Sequence, residues 1–369
     1  MSTEINFSDA ALKTMEEKIR AGERLSFADG LTLFKSHDLL GIGYLANIVR
    51  ERFNDNRTYF IYNRHINYSN TCENRCYFCA FSRDRAEPGA FTLSLAEVLE
   101  KASQVAKEPI TEFHIVGGLN PDLPFSYYLD MLRELKKLYP QVHLQAFTAV
   151  EVDYFSRIAG LSLEDTLKEL ATAGLGSLPG GGAEVFSPRV RQALCPKKIS
   201  GERWLEVMQA AHHLGIKSNA TMLYGHIETP EERIDHLMKL RELQDKTQGF
   251  MTFIPLAFHP QNTQLAHLPP TTGFLDLKTL AISRLMLDNF PHIKAFWIML
   301  GLKLAQLSLS FGVDDLDGTV IEEKITHAAG AQTAQGVSQQ ELIQVIEEAG
   351  RIPVERDTVY NLIPKTSSR

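Results

Sequence analysis

Asn70-Thr71-Cys72-Glu73-Asn74-Arg75-Cys76-Tyr77-Phe78-Cys79-Ala80-Phe81 holds three of the chain's four cysteines. The spacing is C-x3-C-x2-C, so one short loop can turn three thiols toward one place. Two readings follow from the thiols alone. Three thiolates can hold three irons of a [4Fe–4S] cluster and leave the fourth iron open for chemistry. Zinc is the alternative, and a structural zinc would need a fourth ligand such as a distant histidine. Cys195 lies more than a hundred residues further on and is expected to be an incidental thiol.

Outward from this loop the chain alternates strands and helices. Upstream, residues 8–20 and 26–53 are expected to be helical, with Ser8 and Ser26 as N-caps. Leu39, Leu40, Ile42, Leu45, Ile48 and Val49 make an apolar stripe at helical spacing. Residues 61–67 read as a strand that delivers the chain into the cysteine loop. Downstream, Ser94 and Glu97 form a capping box opening a helix through about residue 106.

Strands are then expected at 112–116, 142–147 (running on toward Glu151), 175–178, 217–223 and 250–255, with an apolar strand-like run at 293–300. Helices are expected at 125–138, 163–173, 201–214, from Thr229-Pro230 onward, at 274–289 and from about 319. Ser338 caps a last helix and Gly350 ends it. Such alternation implies a parallel sheet covered by helices. The expected fold is α/β: a (β/α)8 TIM-type barrel over residues 56–330, an N-terminal helical segment over 1–55 and a C-terminal helical extension over 331–369. Gly117, Glu151, Gly180, Tyr224 and His259 fall at predicted strand ends, where such a barrel collects its functional groups.

Composition narrows the function classes. A chain of 369 residues with 44% hydrophobic and 22% charged residues builds a substantial core. The net charge of −7 and pI near 6.0 argue against a nucleic-acid surface. The apolar run 293–302 is too short to span a bilayer, and Lys294 and Gly301 interrupt it. The first residues lack the pattern of a secretory signal, and clustered thiols without one read as metal ligands in a reducing compartment. A soluble cytoplasmic protein without membrane insertion is expected.

With Phe78 before its last cysteine, the loop resembles the signature of radical S-adenosylmethionine (SAM) enzymes. The resemblance implies a [4Fe–4S] cluster on Cys72, Cys76 and Cys79, with SAM bound at the open iron and consumed as co-substrate. Phe78, Gly117, Gly118 and Glu151 would then contact the cofactors, and Tyr77, Phe78 and Phe81 would exclude water. Residues 178–186, 221–229 and 254–260 resemble the menaquinone-biosynthesis enzymes of the futalosine pathway, with the deazaflavin-cofactor synthases as cousins. Within that branch, residues 146–151, 258–260 and 327–333 resemble the aminofutalosine synthases more than the sibling dehypoxanthine futalosine cyclase. The resemblance runs from about residue 40 to 357.

It implies addition of the 5′-deoxyadenosyl radical to the enol ether of 3-[(1-carboxyvinyl)oxy]benzoate. The products would be 6-amino-6-deoxyfutalosine, methionine and bicarbonate or CO2, and a flavodoxin or ferredoxin type of donor would supply the electron. The cyclase reaction and a non-catalytic metal or electron-transfer module stand as alternatives. For a substrate with two carboxylates, Gly180, Gly181 and Gly182 offer an anion nest, or else a flexible turn. Arg64, Arg83, Arg191 and Lys197 are candidate cations, with Arg64 and Arg191 preferred. Glu184, His226 and His259 are candidate acid–base groups, and Glu228 shares the features of Glu184.

Overall fold

The computed structural model describes residues 6–104 and 110–364. Three helices come first: α1 (Ala11–Ala21), α2 (Phe27–Lys35) and α3 (Leu39–Asn54). Ser26 caps α2 in a full capping box with Asp29, as its spacing predicts. Ser8 does not cap α1: the Asp9 carboxylate accepts from the Ala11 N–H. The single helix expected over 26–53 is two, because Ser36 is extended and Asp38 starts a new helix by accepting from the Gly41 N–H.

The strand expected at 61–67 is also two, β1 (Arg57–Ile61) and β2 (Asn63–Ile66), and they enter different sheets. After the cysteine loop come α4 (Leu95–Ser103), β3 (Glu112–Ile115), α5 (Phe125–Leu138), β4 (His143–Ala146), α6 (Ala149–Ala159), α7 (Leu163–Ala173), β5 (Ser177–Leu178) and α8 (Pro188–Leu194). The expected end of α4 near residue 106 lies outside the described residues. Neither α6 nor α8 was expected. Glu151 accordingly stands in the first turn of α6, where Thr148 and Glu151 form a capping box.

The chain continues through α9 (Gly201–His213), β6 (Lys217–Tyr224), α10 (Pro230–Thr247), β7 (Phe250–Ala257), α11 (Gly273–Met286) and β8 (His292–Ile293). The apolar run after 293 turns helical as α12 (Trp297–Leu300), followed by α13 (Leu302–Ser308). The helix expected from 319 is instead β9 (Asp315–Gly318) and an irregular turn, with Val320 and Glu322 at positive φ. Next come α14 (Ile325–Ala328), α15 (Gln339–Glu348) and β10 (Ile352–Arg356). Residues 331–369 thus carry the expected helix, with Ser338 as its N-cap, together with a strand that was not expected.

Strands β2 to β8 form one parallel sheet in chain order. Residues around β9 close it into a barrel. The Ala295 N–H donates to the Asp315 carbonyl (2.8 Å) on one edge, and the His65 N–H to the Ile321 carbonyl (3.0 Å) on the other. β9 also pairs with β1, and β1 with β10, in a second sheet of three strands. The helices pack apolar faces on the barrel's outside, as in α5, where Leu129, Met131, Leu132 and Leu135 are buried. Among the described residues no helix is long and apolar enough to cross a membrane.

Candidate active site at the mouth of the barrel

The loops following β2, β3, β4, β5 and β7 all reach one cavity of about 330 Å³ at the C-terminal ends of the strands. Cys72, Cys76, Phe78 and Cys79 form one wall, and Gly117, Gly118, Glu151, Gly181, Gly182, Glu184 and His259 also line it. Backbone hydrogen bonds fix the cysteine loop. The Cys72 N–H donates to Arg83 O (3.1 Å), Glu73 N–H to Leu119 O (3.0 Å), and Tyr77 N–H to Leu194 O (2.9 Å). The Arg83 guanidinium donates to Ala80 O (2.7 Å), so it braces the loop's backbone. Phe81 is buried and Phe78 half-buried against the core, whereas Tyr77 is exposed and does not line the cavity.

All four cysteines are free thiols. Burial pushes the Cys72 thiol up. Cys76 is pushed up by a hydrogen bond to Cys195 and by burial. Thiolates in such a place are stabilised by a bound metal, and three of them on one wall suit a four-iron cluster, in which each ligates its own iron. They need share a cavity, not a point; among the described residues no three His, Cys, Asp or Glu side chains are gathered about a single-ion site. The backbone is shaped to match. A Cβ on Gly118 would lie 2.2 Å from Thr71 O and 2.9 Å from Cys72 Cβ, so only glycine lets β3's end seat the loop this closely.

Glu151 meets the cavity with its acceptors in use. Oε1 accepts from Tyr68 Oη (2.7 Å) and the Gly117 N–H (3.2 Å), and Oε2 from the Thr148 N–H (2.7 Å). Burial nonetheless pushes its carboxyl up. The group therefore ties Gly117, Tyr68 and the start of α6 together beneath the cavity wall.

Four expected site residues do not line the cavity. Arg64 bonds Gln104 (2.7 Å) and pairs with Glu322 (3.1 Å). Arg191 donates to Ala183 O (2.7 Å) and Ile199 O (2.9 Å), holding the loop after α8. Gly180 packs on β6 so closely that a Cβ would lie 2.4 Å from Asn219 O. His226 donates from Nε2 to Leu223 O (2.9 Å) and lies against Glu228 (2.7 Å); Glu228 also pairs with Arg233 (2.6 Å). These residues brace the turns on which the site stands.

Three residues went unnoticed in the sequence. Lys198, not the exposed Lys197, turns inward and pairs with Glu184 at 2.6 Å. Its ammonium lies 5.2 Å from the Phe78 ring centroid. His65 and His114, on β2 and β3, line the cavity from within the barrel. A signal was present in β3 alone, where Glu112 and His114 alternate with Phe113 and Ile115.

Comparison with known proteins agrees with this geometry. Residues 66–240 match the radical SAM superfamily and residues 247–368 the CofH/MqnC C-terminal region. The chain is similar to aminodeoxyfutalosine synthase of Thermus thermophilus, at 50% identity over 95% of this chain and 96% of that one. It is also similar to 5-amino-6-(D-ribitylamino)uracil–L-tyrosine 4-hydroxyphenyl transferase of Methanothermobacter thermautotrophicus, at 42% over 95% and 96%. In fold it is similar to methylornithine synthase (TM-score 0.73, 18% identity, 92% of this chain and 97% of that one).

Proposed function

The chain belongs to the radical SAM superfamily, and on that footing we propose that it transfers the 5′-deoxyadenosyl group of SAM to 3-[(1-carboxyvinyl)oxy]benzoate. The products are 6-amino-6-deoxyfutalosine, methionine and bicarbonate. The observation that carries this reading is the 50% identity, along nearly the whole of both chains, to an aminodeoxyfutalosine synthase. Cys72, Cys76 and Cys79 would hold a [4Fe–4S] cluster, which when bound supplies at its open iron the electron that cleaves the SAM sulfonium.

The chain's own residues then decide what the adenosyl radical meets. Gly117, Gly118, Gly181 and Gly182 line the cavity, and the missing Cβ lets their backbone pack closely on Tyr68, Thr71, Thr148 and Val150. Leu223, Ile254, Leu256, Phe258 and Phe296 line the cavity and keep water from the reacting carbons. Lys198 keeps N–H groups beyond the one given to Glu184 and is placed to hold a carboxylate. His259 donates from Nε2 to Met299 O (3.0 Å), which leaves Nδ1 free to meet a ligand. Arg64, Gly180, Arg191 and His226 are left out of the proposed site because their side chains or backbone are committed elsewhere. A low-potential flavodoxin or ferredoxin is the proposed donor, and the cytoplasm the proposed location.

The test is anaerobic incubation of cluster-loaded, reduced protein with SAM and the enolpyruvyl benzoate, with products read by mass spectrometry. An adenosyl adduct is expected; free 5′-deoxyadenosine without adduct overturns the reading. The 42% identity to a hydroxyphenyl transferase supports a second reading, tested by replacing the acceptor with tyrosine and 5-amino-6-(D-ribitylamino)uracil. Transfer there, and none to the benzoate, would establish it instead.

A further inference from the structure

Below the cysteine loop the barrel interior is polar. β2 and β3 pair in register, with Asn63 opposite Glu112 and His65 opposite His114. The two imidazoles stack, with centroids 4.4 Å apart and planes 13° from parallel, and both line the cavity. His65 is 7% exposed and its Nε2 has no hydrogen-bond partner. An unpartnered buried ring nitrogen is costly, and a ligand that completes it removes the cost. Burial, then His114 and Lys294, push the His65 imidazole well below its ordinary value, so the ring is neutral and carries one N–H.

Two ion pairs stand nearby. Asp317 faces Lys294 (3.2 Å) and Asp315 faces Arg356 (2.7 Å). Glu112 lies 3.7 Å from His114 Nδ1 and accepts from Asn63 (3.4 Å). The histidine pair thus faces the cavity with a ring nitrogen, His65 Nε2, that no protein group claims.

Depth says which end of the acceptor reaches it. His65 and His114 lie within their strands, whereas the cysteines and Gly117 lie beyond the strands' ends. The acceptor's double bond must stand near the cluster, where the adenosyl radical forms, and its enolpyruvyl carboxylate is attached to that bond. The ring carboxylate is the far end, with the aromatic ring between. Leu223, Ile254 and Leu256, on β6 and β7, supply apolar wall for that ring.

We propose that the stacked His65–His114 pair is the subsite for the ring carboxylate of the acceptor, and so selects a benzoate over a plain phenyl ether. This rests on the reaction proposed above. The probes are 3-[(1-carboxyvinyl)oxy]benzoate and 2-phenoxyacrylate, which lacks only the ring carboxylate. Binding is read by calorimetry on cluster-loaded, unreduced protein with SAM, and turnover separately after reduction.

Wild type is expected to prefer the benzoate by about 10- to 100-fold, the worth of one or two hydrogen bonds to a charged group. His65→Ala and His114→Ala should bring the two probes close together by weakening the benzoate alone. His65→Gln, which keeps an N–H in reach, should recover much of the preference; this separates a donor from mere packing, and iron content reports intact folding. Absence of preference in wild type, or undiminished preference in both alanine variants, overturns the subsite. Discriminating binding without adduct would sink the reaction and leave the subsite standing. Adduct formation with undiminished discrimination in the variants would do the reverse.

Discussion

Lys198 Nζ stands 2.6 Å from Glu184 Oε1, with both side chains about nine-tenths buried. The contact joins the loop after α8 to the loop after β5 and lays the ammonium over Phe78. Glu184 takes a positive φ of 51° to make it, a conformation that costs roughly 1–2 kcal/mol outside glycine. Two buried charges in one wall stabilise the fold only as a pair.

Removing one partner should therefore hurt more than removing both. Lys198→Met leaves a buried carboxylate alone and is expected to cost about 3–5 kcal/mol. Adding Glu184→Gln to it should recover a large part of that loss. Denaturant unfolding of Lys198→Met, Glu184→Gln and the double variant gives the coupling directly; losses that simply add would show that the pair contributes nothing as a pair.

Cys195 is near enough to Cys76 to push that thiol up, which raises the question of a fourth ligand. It does not line the cavity. Cys195→Ala is expected to keep iron and acid-labile sulfide at the wild-type level after reconstitution. Cys76→Ala should lose the cluster while the barrel still melts cooperatively. Iron and sulfide analysis with circular dichroism checks both.

Gly118→Ala tests the seat of the cluster without touching a thiol. The new Cβ would meet the Thr71 carbonyl at 2.2 Å, so the cysteine loop or the end of β3 has to move. Iron content should fall well below one cluster per chain. Gly22→Ala is the control. Gly22 ends α1 at φ 75° with nothing within 4 Å of an added Cβ, so backbone strain of about 1–2 kcal/mol should lower stability and leave cluster content unchanged.

How far the sequence announces the site depends on the kind of signal. Thiol spacing and strand–helix alternation are local patterns, and they place the barrel, the cysteine wall and Gly117-Gly118. Direction of a side chain is not local. Lys197 and Lys198 are adjacent and chemically alike, and only packing turns the second inward. His226 follows a strand end as a site residue would, and Arg191 offers the cation a carboxylate needs, yet backbone carbonyls nearby claim their nitrogens. Strand β10 pairs with β1 across the whole chain, a partnership that no local pattern can carry. Only β3 carries a local sign of its polar face, with Glu112 and His114 alternating with Phe113 and Ile115.

Glu228 gives the fold an acid-sensitive anchor. Burial raises the cost of its charge, but His226, Arg233 and the Gly225 N–H (2.6 Å) outweigh that and hold the carboxyl at about 2. A folded value below the unfolded one means stability that is present above pH 4.5 and lost as pH falls toward 2. A shift of this size corresponds to about 3 kcal/mol. Glu228→Gln should therefore be less stable than wild type at pH 7, with the gap closing as the pH is lowered toward 2. Urea unfolding of both proteins at stepped pH measures it, and a gap independent of pH would show that the turn holds without this charge.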